Sequence, residues 1–193
     1  MNLKTKPMEN DVMPRIHPVT LAQTDAKTAA TLKAVGAKLG MLPNLFTTLA
    51  QAPAALNGYL QFSEALRPGR LTPRQREIIA IAVAQENACG YCLSAHVAMG
   101  RGAGMSSEDI DQARHGRAQD AQEGAVADLA LRIVQSRAEI SDTALAAARQ
   151  AGLDDGLIIE IIAHVALNVL TNYVNRIADT DVDFPVIELS SAA

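Results

Sequence analysis

The sequence predicts an all-α fold, and three observations carry that expectation. Apolar residues make up 49% of the 193-residue chain while aromatics make up only 3%, with no Trp, so the core must be assembled from Ala, Leu, Ile and Val at close spacing. Apolar positions recur at helical rather than alternating spacing, as in Val126, Leu129, Ala130 and Ile133. Helix starts and stops punctuate the chain, and no parallel-sheet pattern accompanies them. The charged fraction of 20% and the apolar content exclude a disordered chain over most of the length.

Residues 1–24 read as an arm, broken by Pro7, Pro14 and Pro18 and expected to be flexible or draped. A helical domain then spans 25–180. Asp25 to Leu39 forms the first helix, closed by Gly40, with a break at Pro43. Asn44 is placed to cap a short helix to Gln51, and Pro53 to Leu66 forms the next. Thr72-Pro73-Arg74-Gln75 is a strong start, with a Thr cap, Pro in the first turn and Gln where a capping box needs it. The helix behind it runs to about Asn87, and its wholly apolar middle, Ile78 to Ala84, is assigned to helix by the cap, the length and the alanines. Another begins near Gly90 and reaches about Met99, where glycines at 100, 102 and 104 end it. Ser106 or Ser107 starts the next, which stops at Gly116. Gln122–Ala138, Ser141–Ala151 and a long helix from Asp154 to about Ala178 complete the domain. The tail, 181–193, is expected to be extended or mobile.

A net charge of −4 argues against nucleic-acid binding by bulk charge. The basic run Arg67, Arg70, Arg74 and Arg76 lacks interleaved aromatics and reads as a solvated loop and helix start. The first residues have no apolar core of a signal sequence, and no unbroken apolar run reaches about 18 residues, so neither export nor a membrane is expected. The expected setting is a reducing cytoplasm, where a close cysteine pair points to redox chemistry or a metal rather than a structural disulfide.

The chemistry concentrates in Glu86-Asn87-Ala88-Cys89-Gly90-Tyr91-Cys92-Leu93-Ser94-Ala95-His96. Cys-x-x-Cys at a helix start holds two sulfurs within disulfide reach, and the unpaired N–H groups and dipole there favour thiolate. Asn87 and Gly90 serve as turn residues. His96 follows Cys92 by four residues, so one helical turn brings its imidazole beside that sulfur. The two helices flanking the turn should run antiparallel. Glu77 then lies about 15 Å before the turn and His96 about 10 Å after it, at the helical rise, so the two approach one level. Glu77 shares a face with Ile81, Ala84 and Ala88, an apolar setting expected to raise a carboxyl pKa. Glu86 lies roughly opposite and reads as surface charge.

Arg-Glu (76–77), twelve residues on to Cys89, then Cys-x-Tyr-Cys-x-x-x-His, resembles the alkylhydroperoxidase D-like branch of the carboxymuconolactone decarboxylase superfamily, and within it the group described as peroxidase-related proteins. Asn168-Val169-Leu170-Thr171-Asn172-Tyr173 with Asn175, then Asp-Phe-Pro (183–185), resembles that group's tail. The likeness covers roughly residues 40–180. It implies an all-helical bundle assembled as a homotrimer or homohexamer, and thiol-dependent reduction of hydroperoxides with no bound cofactor. The implied partners are an external dithiol, or a lipoylated or thioredoxin-like adaptor. Glu77, Cys89, Cys92 and His96 match the family's proton relay and redox pair. Alkylhydroperoxidase D enzymes carry His just before the second Cys; this chain has Tyr91, whose phenol titrates near pH ~10 and is no base at neutrality.

Cys92 is the expected attacking thiolate because His96 is its helical neighbour, with the reverse assignment nearly as well supported. Other readings stand beside this one. The cysteines and His96 could be packed core residues. They could bind a metal, with His164 or Glu77 as a fourth ligand. The chain could be a dithiol–disulfide oxidoreductase or redox sensor without peroxide turnover, a scaffold that retains the motif, or a lyase, although the decarboxylase branch does not depend on a cysteine pair. On the last helix, His164, Asn168, Thr171, Asn172, Asn175 and Asp179 share a face. This stripe reads either as a solvated or subunit-contact face, or as a wall of the active-site channel with His164 nearest; Tyr91, His164 and Asn168 are accordingly candidate supporting residues.

Overall fold

The computed structural model describes residues 14–190, and among these every regular element is an α-helix. In chain order they are α1 (Ala26–Leu39), α2 (Asn44–Leu49), α3 (Pro53–Leu66), α4 (Pro73–Glu86), α5 (Gly90–Gly102), α6 (Ser107–Arg114), α7 (Ala121–Gln135), α8 (Asp142–Gln150) and α9 (Asp155–Ala178). Most starts are capped as the sequence dictates. Asp25, Asp120 and Asp154 each accept backbone N–H groups of the first turn, and Thr72/Gln75 and Ser106/Asp109 form capping boxes.

Helix α4 is the central strut, packed against α5, α6, α7 and α9. That position explains its apolar middle. Ile78, Ile81 and Ala84 enter one core cluster with Leu32, Leu56, Leu93 and Val97, while Ile79 and Val83 enter a second with Val126, Leu129, Leu157 and Ile161. A helix buried on both faces shows no amphipathic stripe. By length and composition α9 is the one helix among the described residues that could cross a membrane, although polar residues interrupt its apolar run. Half of its apolar window is packed inside the chain, which the core helix of a bundle also satisfies.

Several local expectations are corrected. The N-cap of α2 is Pro43, not Asn44; Asn44 is its first helical residue, and its backbone N–H donates to Asp183 Oδ2 at 2.7 Å. A carboxylate from the tail therefore does the capping, well placed against the positive end of the helix. Helix α5 runs through Gly100 to Gly102 instead of ending near Met99. Helix α7 ends at Gln135 because Arg137 and Ala138 turn left-handed. Between α4 and α5 Asn87 is the C-cap turn residue, as expected, whereas Gly90 already opens α5 and the left-handed residue of the turn is Ala88 (φ 50°).

The arm beyond residue 13 is draped: Arg15 and Ile16 donate N–H bonds to Ala178 O, and Val19 to Thr47 O. The first 13 residues, with Pro7, lie outside the described set, as do 191–193. Residues 181–190 are extended and tied down. Ile187 N donates to Ser94 Oγ at 3.0 Å, Arg114 Nη2 to Glu188 O at 2.7 Å, and Gln85 and Ser190 exchange bonds. The basic run is solvated at Arg67 and Arg70, as expected, but not at Arg74. Arg74 is 28% exposed and bridges Asp109 at 2.8 Å and Glu123 at 3.0 Å, joining α4 to α6 and α7. That ion pair holds the Asp109 carboxyl well below the usual carboxylate range.

Candidate active site

Cys89 is the N-cap of α5 and Cys92 its third residue; their Cα atoms are 5.4 Å apart and the sulfurs form a disulfide. The backbone N–H of Cys92 donates to Cys89 Sγ at 3.3 Å, so a sulfur occupies the capping position usually held by a Ser or Asp oxygen. The pair is deeply packed, with Cys89 1% and Cys92 3% exposed.

The antiparallel return of α5 along α4 brings Glu77 and His96 together, with Glu77 Oε2 2.9 Å from His96 Nδ1 and both side chains about one-fifth exposed (18% and 20%). A proton on Nδ1 donated to the carboxylate leaves Nε2 as the basic nitrogen of the neutral ring. What permits the approach is Gly100, one turn beyond His96. A Cβ there would stand 3.0 Å from Met105 Sδ, 3.4 Å from Ile81 Cδ1 and 3.9 Å from Glu77 Cβ. From sequence alone this glycine is expected to end the helix. Instead it is the close-packing point of α5 on α4. Among the described residues the imidazole makes no hydrogen bond to either sulfur.

The partner of Cys92 comes from α9: Asn175 Nδ2 lies 3.2 Å from Cys92 Sγ. Three residues earlier, Asn172 Oδ1 accepts from Asn87 Nδ2 at 2.9 Å, at the C-cap of α4. The polar stripe of α9 is thus buried within the chain and not a solvated face: His164, Asn168, Thr171, Asn172 and Asn175 all have less than a tenth of their surface exposed. Its residue nearest Cys92 is Asn175, not His164. Asp179 leaves the stripe as the exposed, left-handed C-cap. Asn168 donates to His164 O, a bond within its own helix. His164 sits toward the other end of the site, where burial and then Arg76 push its pKa down, against a smaller opposing pull from Glu160 and Glu77.

Tyr91 turns away from the sulfurs. Its hydroxyl accepts from Leu45 N at 3.2 Å, and its ring meets Phe184 edge-on at 5.7 Å, joining α5 to α2 and the tail. Burial foremost, with Asp183 beside it, pushes the phenol further above its ordinary range. Tyr59 of α3 was not singled out from sequence. Its pKa is pushed up to about 12, chiefly by burial and also by the Glu77 charge. No sequence signal links a tyrosine on α3 to an acid one helix later. Glu86 is exposed and accepts from Gln135, as a surface charge does. Among the described residues no three His, Cys, Asp or Glu side chains are grouped to hold a metal.

The profile of the carboxymuconolactone decarboxylase family matches residues 53–136, which run from α3 through α7 and include the whole Glu77–His96 segment. The chain is also similar to the alkylhydroperoxidase AhpD core of an uncharacterized peroxidase-related protein from Ralstonia eutropha JMP134. That likeness has 27% identity, a TM-score of 0.80, and coverage of 89% of this chain and 93% of that one. An uncharacterized peroxidase-related protein from Silicibacter sp. TM1040 is similar at 25% identity and TM-score 0.78, over 90% and 94% of the two chains. The match over residues 53–136 and these two structural likenesses support assigning the chain to the alkylhydroperoxidase D-like / carboxymuconolactone decarboxylase superfamily. The superfamily fold extends further: the debrominase Bmp8 superposes with TM-score 0.73 at 17% identity, over 90% and 93% of the chains, a likeness of fold alone. No curated protein matches the sequence. Within this superfamily the paired cysteines and the peroxidase-related neighbours fit a redox role.

Proposed function

We propose that the protein is a thiol-dependent peroxidase that reduces hydroperoxides through Cys89 and Cys92. The observation that supports this most is the hydrogen-bonded Glu77–His96 pair on the two helices that carry the cysteine turn between them. Cys92 thiolate attacks the distal oxygen of the hydroperoxide, the O–O bond breaks, and the departing alkoxide takes a proton relayed by His96 and Glu77. Cys92 becomes a sulfenic acid. Cys89 thiol condenses with it, water leaves, and the disulfide closes. An external dithiol then reopens the bond by exchange and is itself oxidised. The reductant is an external thiol or a lipoylated or thioredoxin-like adaptor, no bound cofactor is required, and the compartment is the cytoplasm.

The test follows tert-butyl hydroperoxide consumption with a dithiol in the wild type, Cys92→Ser and Cys89→Ser. Loss of turnover in both variants is expected; equal consumption by all three removes the motif from the reaction. The orientation of Tyr91 favours a second reading, a dithiol–disulfide oxidoreductase, because the position that carries the family's extra imidazole here holds a phenol bonded to Leu45 N. A reversible Cys89–Cys92 couple without peroxide turnover selects that reading.

Self-association belongs to the same proposal. The outer face of α9 exposes Ile159, Ile162, Leu170, Tyr173 and Ile177 in one helical stripe. Light scattering should give the mass of three or six chains, and a monomer at micromolar concentration refutes it.

A further inference from the structure

The two sulfurs receive different donors. Cys89 Sγ takes the N–H of Cys92, a contact supplied by the local turn. Cys92 Sγ takes Asn175 Nδ2 across 83 residues of sequence, a contact only the tertiary fold supplies. Asn175 is 3% exposed, and its Oδ1 has no hydrogen-bond partner among the described residues. A leucine, with the same branching, would occupy this position without stranding a buried carbonyl oxygen. What the amide adds is an N–H aimed at sulfur. The aim is fixed from both sides, because one turn earlier Asn172 is held by Asn87, two residues before Cys89.

Building on the reading of Cys89 and Cys92 as a redox pair, we propose that Asn175 is a positioning residue that selects Cys92 as the thiolate. A disulfide sulfur is a weak, neutral acceptor, whereas a thiolate is a charged one, so the same N–H binds more strongly once the disulfide opens. In that step an external dithiol supplies two electrons and the S–S bond breaks. Cys89 retains one of the dithiol's protons, Cys92 remains anionic, and the other proton passes to solvent. Asn175 thereby lowers the Cys92 thiol pKa and stabilises the reduced form relative to the disulfide.

The experiment uses the full chain with Cys89→Ser, which leaves Cys92 as the one thiol. Thiolate absorbance near 240 nm is followed against pH, with and without Asn175→Leu or Asn175→Ser. Loss of a hydrogen bond to a charged group predicts a rise of about one to two pKa units, or roughly ten- to hundredfold less thiolate below the pKa. In the chain with both cysteines, each tenfold loss of thiolate stabilisation makes the reduction potential more negative by about 30 mV. A readout that leaves Asn175 in place covers the case where the variants do not fold: its side-chain amide proton resonance should titrate with the Cys92 midpoint. An unchanged Cys92 pKa in a folded Asn175 variant, or an amide resonance indifferent to Cys92 ionisation, overturns the proposal. Neither readout uses peroxide. A shifted pKa without peroxide turnover therefore sinks the peroxidase reading alone, and peroxide turnover with an unshifted pKa sinks the Asn175 assignment alone.

Discussion

Gly100→Val should separate the helices that carry Glu77 and His96, and the structure sets the size of the effect. The first added carbon meets Met105 Sδ at 3.0 Å, a flexible thioether tip, and Ile81 Cδ1 at 3.4 Å. Alanine therefore requires shifts of a few tenths of an ångström, offset by the ~1 kcal/mol that Ala gains over Gly inside a helix. Gly100→Ala should be close to neutral. Valine adds two methyls beyond that carbon with Ile81 and Glu77 already in contact range, an overpacking worth about 1–3 kcal/mol. For a domain of this size that lowers Tm by roughly 2–10 °C. Movement of α5 off α4 acts directly on the 2.9 Å Glu77–His96 hydrogen bond. Two assays separate stability from geometry: thermal unfolding by circular dichroism, and the NMR chemical shifts of the His96 ring well below the melting range. Gly100→Ala should reproduce the wild type in both, whereas Gly100→Val should melt earlier and move the His96 ring resonances. A valine variant with wild-type melting and an unmoved His96 refutes the idea that this glycine sets the helix approach.

Other perturbations test separate parts of the structure. Ala88→Gly should stabilise by about 0.5–1 kcal/mol, since the left-handed φ of 50° costs a non-glycine residue about 1–2 kcal/mol and the added chain entropy of Gly returns part of it; a lower Tm in the thermal melt contradicts this. His164 is buried with its pKa pushed below the ordinary 6.5. The unfolded chain thus binds the extra proton first, and stability should fall as pH drops from about 6.5 through the depressed folded value. Urea midpoints at pH 7.5 and 5 should show a flatter dependence in His164→Gln, and an unchanged slope removes His164 as the cause. Phe184→Ala should cost about 2 kcal/mol, roughly half the loss for a fully buried phenylalanine, because the ring is half-buried against Tyr91. It should also speed proteolysis after residue 180, and an unaltered digestion rate argues against the tail being held there.

The parts of the fold legible in the sequence were those written locally. Thr72-Pro73-Arg74-Gln75 carries a complete capping box within four residues, and the structure forms it. The level at which Glu77 meets His96 followed from helical rise and one antiparallel turn. The stripe on α9 was legible as a face but not as an address. His164 and Asn175 share that face yet lie eleven residues apart, about 16 Å along the axis. Only the crossing point of α9 over α5 decides which of them meets Cys92, and that crossing is set by packing of the whole core. Asn44 shows the same limit: its expected cap role is taken by Asp183, a residue 139 positions later. Gly100 was misread because a glycine near a helix end and a glycine at a helix contact look alike until the neighbouring helix is present.

The same packing bears on the difference between a redox pair and two small core residues. Burying a thiol disfavours its ionised form, so sulfurs with 1% and 3% exposure would by packing alone be poor nucleophiles. Chemistry at such a place requires dipoles that favour negative charge, supplied inside the core where water is excluded. Two converge here: the open N-terminal N–H groups of α5, one of them spent on Cys89 Sγ, and the Asn175 amide on Cys92 Sγ. Buried amides that leave Asn172 Nδ2 and Asn175 Oδ1 without partners among the described residues are a cost to stability that a purely structural core avoids. That cost falls on the turns of α9 facing the cysteine segment, which is where a reactive sulfur needs polar support and where an inert one does not.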